Sequence, residues 1–174
     1  MQTLGEKLGH IIIPLATPFE EKTQHVDFDA AAALVDHVIK RKYCDSLIVG
    51  GTSGEFNAMS LEERRELFKV VKEAAGGRVP LVGGACSIST REAVELVKES
   101  ERLGFDAVMV LGPCYCKPTQ EGVYRHFRAI AEATALPVML YNIPIFTGLN
   151  VEKETVARLA ADVPNITGIK DEAG

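Results

Sequence analysis

The sequence predicts an α/β protein built on a parallel sheet, and three observations carry that expectation. Six short apolar runs recur along the chain, one amphipathic helical stretch separates each from the next, and most of those stretches open on a capping side chain. Strands that are apolar from end to end, rather than alternating, need cover on both faces, which helices crossing between parallel strands provide. Two architectures fit: a doubly wound open sheet and a (β/α)8 barrel. Both place a functional site at the C-terminal ends of the strands.

The units follow in order. Gly9 to Ala16 is the first apolar run; a loop containing Pro18 leads to Asp27, which caps a helix from about Phe28 to Lys42. On that helix Leu34 and Val38, and Val35 and Ile39, recur at i and i+4, while His37 falls on the solvated face. Asp45 to Gly51 is the second strand, and Ser60 with Glu63 forms a capping box for a helix ending near Ala75, before Gly76 and Gly77. Val79 to Gly84 is the third strand; Ser89 or Thr90 caps the next helix, which Gly104 ends. Ala107 to Leu111 is the fourth, followed by a helix opened by Thr119 with a Val123, Phe127, Ile130 and Ala131 stripe. Pro137 to Tyr141 is the fifth strand, Asn150 caps a helix to about Asp162, and Ile166 to Lys170 is the sixth strand.

At 174 residues and 47% hydrophobic composition the chain suits one domain with a substantial core, with no linker or low-complexity break. The net charge of −5 and the lack of a Lys/Arg stripe argue against a nucleic-acid surface. Met1 to Leu8 lacks the charged head and apolar core of a signal peptide, and no run approaches a membrane span, so a cytoplasmic protein with no membrane partner is expected. Cys44, Cys86, Cys114 and Cys116 form no C-x-x-C framework, and the lone C-x-C has no Cys or His at zinc spacing; reduced thiols and no metal are expected.

Several polar residues fall at strand C-terminal ends: Thr17, Thr52, Ser53, Tyr115, Tyr141 and Lys170. A lysine among apolar neighbours has its charged form disfavoured, which frees the neutral amine for attack on a carbonyl. A strand-end lysine more commonly just extends to water, but its company here favours the chemical reading. Gly50-Gly51-Thr52-Ser53-Gly54-Glu55 sets glycines and two hydroxyls in a strand-to-helix loop suited to a small anion, and lacking a phosphate-loop lysine it suits a carboxylate. Tyr141 is placed to donate and recover a proton, and Tyr115, between Pro113 and Pro118, lies on a loop suited to a site or an interface.

With those residues in place, the chain resembles the dihydrodipicolinate synthase and N-acetylneuraminate lyase family. GGTSGE after strand two, the P-x-Y-x-K-P-T-Q-E-G loop, YNIPxxTG after strand five and GIKD at strand six occur in register from about Gly9 onward. The resemblance implies a (β/α)8 barrel of which residues 1–174 form a single domain truncated after six strands, since a closed barrel typically takes about 250 residues. It also implies a pyruvate-dependent aldolase without cofactor or metal. Lys170 would form the imine, Tyr141 would move protons, and Thr52 and Ser53, with Gly51, would hold the pyruvate carboxylate. Tyr115 would reach a neighbouring subunit's site and complete a relay with Thr52, which implies a dimer or tetramer. The expected small-molecule partners are pyruvate and an aldehyde or 2-keto acid.

Two positions depart from the family pattern. Phe146 stands where the lysine-pathway synthases usually carry an arginine for the acceptor's carboxylate, which tilts the expectation to a sugar-acid aldolase of the 2-keto-3-deoxygluconate type over 4-hydroxy-tetrahydrodipicolinate synthase. Cys114 replaces a usual aromatic beside Tyr115. The competing readings are a non-catalytic assembly or regulatory role for a shortened barrel and an anion-binding doubly wound domain; the latter requires the strand order to reverse.

Overall fold

A computed structural model describes residues 3–173. Six parallel strands make one sheet in the order β1-β2-β3-β4-β5-β6: Ile12–Pro14, Ser46–Val49, Leu81–Gly84, Ala107–Leu111, Val138–Asn142 and Ile166–Asp171. The order never reverses, so the sheet is singly wound like a barrel wall and the doubly wound alternative falls.

The helices are α1 (Leu4–Leu8), α2 (Phe28–Lys40), α3 (Leu61–Ala75), α4 (Thr90–Arg102), α5 (Gln120–Ala131), α6 (Pro144–Thr147) and α7 (Lys153–Asp162). Asp27, Ser60, Ser89 and Thr119 cap α2 to α5 through their side chains, with Ser60 and Glu63 closing a reciprocal box on α3. Gly76, at φ +55°, supplies the left-handed residue that ends α3.

The expected cap at Asn150 is not formed. Its Oδ1 accepts from Asn142 Nδ2 (2.8 Å), and α7 starts later, after Glu152. Gln120 of α5 serves instead: its Oε1 accepts from Glu152 N at 3.1 Å and from Thr155 Oγ1 at 2.7 Å. A cap drawn from a neighbouring helix leaves no local signal. Two short helices, α1 and α6, also escaped the strand-and-helix pattern; α6 is one turn with proline at its start.

Helices and sheet enclose the larger core, which includes Phe68, Leu96, Val110, Phe127, Ile130 and Leu159. On the opposite, inner face a smaller cluster joins Leu8, Ile48, Val82, Cys86, Met109, Leu111, Tyr141 and Ile143. Strands β2, β3 and β4 are buried throughout, but the expectation of six covered strands does not hold at the ends of the sheet. β1 is half-buried, and β6 alternates from buried Ile166 to exposed Asp171, because each has a partner strand on one side only among the described residues.

Candidate active site

Register brings the first two groups together. Tyr141 on β5 pairs directly with Lys170 on β6, so their side chains rise side by side from the inner face near the strands' C-terminal ends. Lys170 Nζ lies 4.1 Å from the centre of the Tyr141 ring, within cation–π range. From across the sheet, Thr52 Oγ1 donates to the Tyr141 hydroxyl at 3.4 Å.

Thr52 is carried there by the loop after β2, which winds through two short 3-10 turns, Thr52–Gly54 and Phe56–Ala58. The buried Thr17 hydroxyl pins this loop by donating to Gly54 O at 2.7 Å, which gives Thr17 a positioning role outside the cluster. The ends of β2 and β3 also meet closely: a Cβ on Gly84 would fall 2.4 Å from Gly50 O, so that position admits glycine alone without a shift of backbone. Gly51, Thr52, Ser53, Tyr141 and Lys170 line one small cavity together with Pro14, Ile48 and Met109. Four of the six residues singled out in the sequence, Thr52, Ser53, Tyr141 and Lys170, therefore converge.

Tyr115 does not join them. It stands 89% exposed on the loop after β4, in the left-handed region at φ +72°, above a separate depression lined by Ile88, Cys114 and His126. Phe146, on α6, is 68% exposed and lines a third depression of about 320 Å³ with Phe56, Asn57, Cys114, Thr147 and Thr52, so that this depression adjoins the Lys170 cavity.

The electrostatics suit amine chemistry. Burial against apolar walls lowers the Lys170 pKa, although its side chain remains 30% exposed. Burial raises the Tyr141 phenol, opposed by the Thr52 hydrogen bond, so the phenol holds its proton and is able to lend it. Cys86, fully buried beneath the site, is pushed up to about 12 by burial and stays a neutral thiol.

Two groups near the site escaped the sequence reading. Arg64 of α3 is buried, donates from Nη2 to Gly84 O at 2.9 Å and packs over Phe56, thereby buttressing the loop that carries Thr52. Glu172 touches both Tyr141 and Lys170. Its signal was available, since alternate residues of a strand share a face and 172 follows 170 by two.

Known proteins share this fold and much of this sequence. Residues 7–174 match the profile of the Dihydrodipicolinate synthetase family. Among curated relatives, 4-hydroxy-tetrahydrodipicolinate synthase 1 of Halalkalibacterium halodurans is 46% identical over 167 residues, which is 96% of this chain and 56% of the relative. The Bacillus subtilis 4-hydroxy-tetrahydrodipicolinate synthase is 45% identical over 166 residues, 95% of this chain and 57% of its own length. Among solved structures, dihydrodipicolinate synthase from Cyanidioschyzon merolae with lysine bound superposes with a TM-score of 0.90 at 44% identity, over 96% of this chain and 56% of that one. The enzyme from Aquifex aeolicus gives 0.89 at 32% identity, over 94% and 55%. The chain thus spans a little over half the length of the relatives it matches, and its six strands correspond to that share of their barrels. No helix among the described residues is long and apolar enough to cross a membrane. Fold, motif order and sequence identity agree that the chain belongs to the dihydrodipicolinate synthase family.

Proposed function

We propose that this chain carries the imine-forming half of a pyruvate-dependent synthase, and that the whole protein acts as a 4-hydroxy-tetrahydrodipicolinate synthase. The observation that carries the reading is the convergence of Lys170, Tyr141 and Thr52 at the strand ends, with Tyr141 and Lys170 in direct register. The relatives' names support the synthase over the sugar-acid aldolase that Phe146 had suggested, so the preference drawn from that one position is corrected. Phe146 then means that an acceptor carboxylate is held by some group other than a cation at 146.

In this reading neutral Lys170 attacks the ketone of pyruvate. Tyr141 passes protons as the carbinolamine collapses to the imine, and the protonated imine withdraws electrons from the adjacent methyl carbon to give an enamine, which adds to the aldehyde. The hydroxyls of Thr52 and Ser53, beside Gly51, orient the pyruvate carboxylate in their shared cavity. Every step uses side chains and solvent. The exposed Tyr115 is assigned to the site of a second copy, which makes the working protein a homo-oligomer.

The test is turnover by the full-length protein. Pyruvate with L-aspartate semialdehyde should give the condensation product. Failure with that acceptor, alongside release of pyruvate from 2-keto-3-deoxygluconate, would overturn the synthase reading in favour of the aldolase.

A further inference from the structure

Glu172 has no part in the mechanism above, yet it contacts both of its reacting side chains. Its backbone N–H donates to Asn142 O at 2.8 Å and extends the β5–β6 ladder by one residue. Strand periodicity then turns its side chain to the face that carries Lys170. Oε1 accepts from the Tyr141 hydroxyl at 3.2 Å and forms an ion pair with Lys170 Nζ. With the bond from Thr52 to Tyr141, four side chains form an unbroken line: Thr52, Tyr141, Glu172, Lys170.

Asp171, the adjacent acid, points the other way. Its Oδ1 accepts from Asn142 Nδ2 at 2.9 Å and from Ala173 N at 3.1 Å, so it cannot stand in for Glu172. Among the described residues the other titratable group facing the cluster is Cys86 beyond the end of β3, which is protonated at neutral pH and in turn feels Arg64 of α3 and Cys114. Glu172 is therefore the anionic group that these contacts place against the amine.

The carboxylate favours the ammonium form of Lys170, which is not a nucleophile, against the burial that lowers its pKa. The same pairing gives that proton somewhere to go. We propose that Glu172 is the catalytic proton acceptor and donor for imine formation at Lys170, a role that rests on the Schiff-base reading above.

The Lys170 ammonium passes one proton to the Glu172 carboxylate, leaving a neutral amine and a carboxylic acid. The nitrogen lone pair then forms the C–N bond to the ketone carbon of pyruvate while the C=O π pair moves to oxygen. A proton shifts from nitrogen to that oxygen through the Tyr141 phenol. Glu172 finally returns its proton to the carbinolamine hydroxyl, which leaves as water as the nitrogen lone pair closes the C=N bond. The product is a protonated imine, one water is released, and Glu172 is again a carboxylate. At 43% exposure its side chain is open enough to swing from amine to hydroxyl.

The experiment measures the rate at which full-length protein forms a borohydride-trappable pyruvate adduct on Lys170. Wild type, Glu172→Gln and Glu172→Asp are compared from about pH 6 to about pH 10. General acid–base assistance predicts that Glu172→Gln slows imine formation about 10²-fold near pH 7. The gap should close as pH rises, because the amine then loses its proton to solvent unaided, and Glu172→Asp should retain most of the rate. A Glu172→Gln protein with the wild-type rate and pH profile would overturn the role of Glu172 and leave the Schiff base intact. A wild type that takes no label on Lys170 would overturn both.

Discussion

Two loops leave the same end of the same sheet and meet different fates. The loop after β2 is folded into 3-10 turns, pinned by Thr17 to Gly54 O, and delivers Thr52 to the Tyr141 hydroxyl inside the chain's own cavity. The loop after β4 carries an equally conspicuous tyrosine, but places Tyr115 and Lys117 in left-handed conformations and leaves Tyr115 89% exposed. Beneath it His126 is the anchor: Nδ1 meets Thr90 Oγ1 at 2.9 Å and Nε2 meets Leu111 O at 3.1 Å. A residue's position at a strand end therefore does not settle which site it serves. What decides is where the loop's buried anchors aim it.

The largest effect that separates the two loops should come from Tyr141→Phe. Removing the phenol that joins Thr52 to Glu172 is expected to cut turnover by about 10²-fold, read as kcat with pyruvate saturating. Thr52→Val removes one long hydrogen bond to that phenol, worth about 1 kcal/mol, and should slow imine formation about fivefold. Should Thr52→Val prove as damaging as Tyr141→Phe, Thr52 does more than orient.

In dilute, monomeric protein Tyr115→Phe should leave the rate of imine trapping at Lys170 within about twofold of wild type and change stability by less than about 0.5 kcal/mol, because the ring is exposed and touches none of its own chain's cluster. A loss of trapping in dilute, monomeric protein would place Tyr115 in its own chain's site and break the contrast.

The smallest effect concerns the anchor. Burial lowers the His126 pKa below its ordinary 6.5, partly offset by the bond to Leu111 O. Its neutral form is favoured in the fold, so the unfolded chain binds the extra proton first. Stability is full above about pH 6.5 and declines as pH falls below it toward the folded pKa. Denaturant titrations at successive pH values should show that decline, and His126→Gln should flatten it.

Much of this was legible in the sequence because the signals were local. Asp27, Ser60 and Thr119 sit immediately before apolar-periodic stretches, and each caps the helix that follows. GGTSGE, Tyr141 and GIKD fall on strand ends, and once strands pair in order the register sets Tyr141 beside Lys170. What was illegible depends on partners distant in the chain. The start of α7 is fixed by Gln120, more than thirty residues earlier, so Asn150 misled. Choosing between two windings required the strand order itself. Phe146 shows the limit of arguing specificity from one position, since a missing cation says nothing of charges brought from elsewhere.

The central claim is that Lys170 forms the imine. Full-length protein incubated with pyruvate and sodium borohydride, digested and mapped by mass spectrometry, tests it most directly. The account predicts a reduced pyruvyl adduct on Lys170. Folded protein that takes no adduct there, or takes it on another lysine while an authentic aldolase is labelled in parallel, would contradict it.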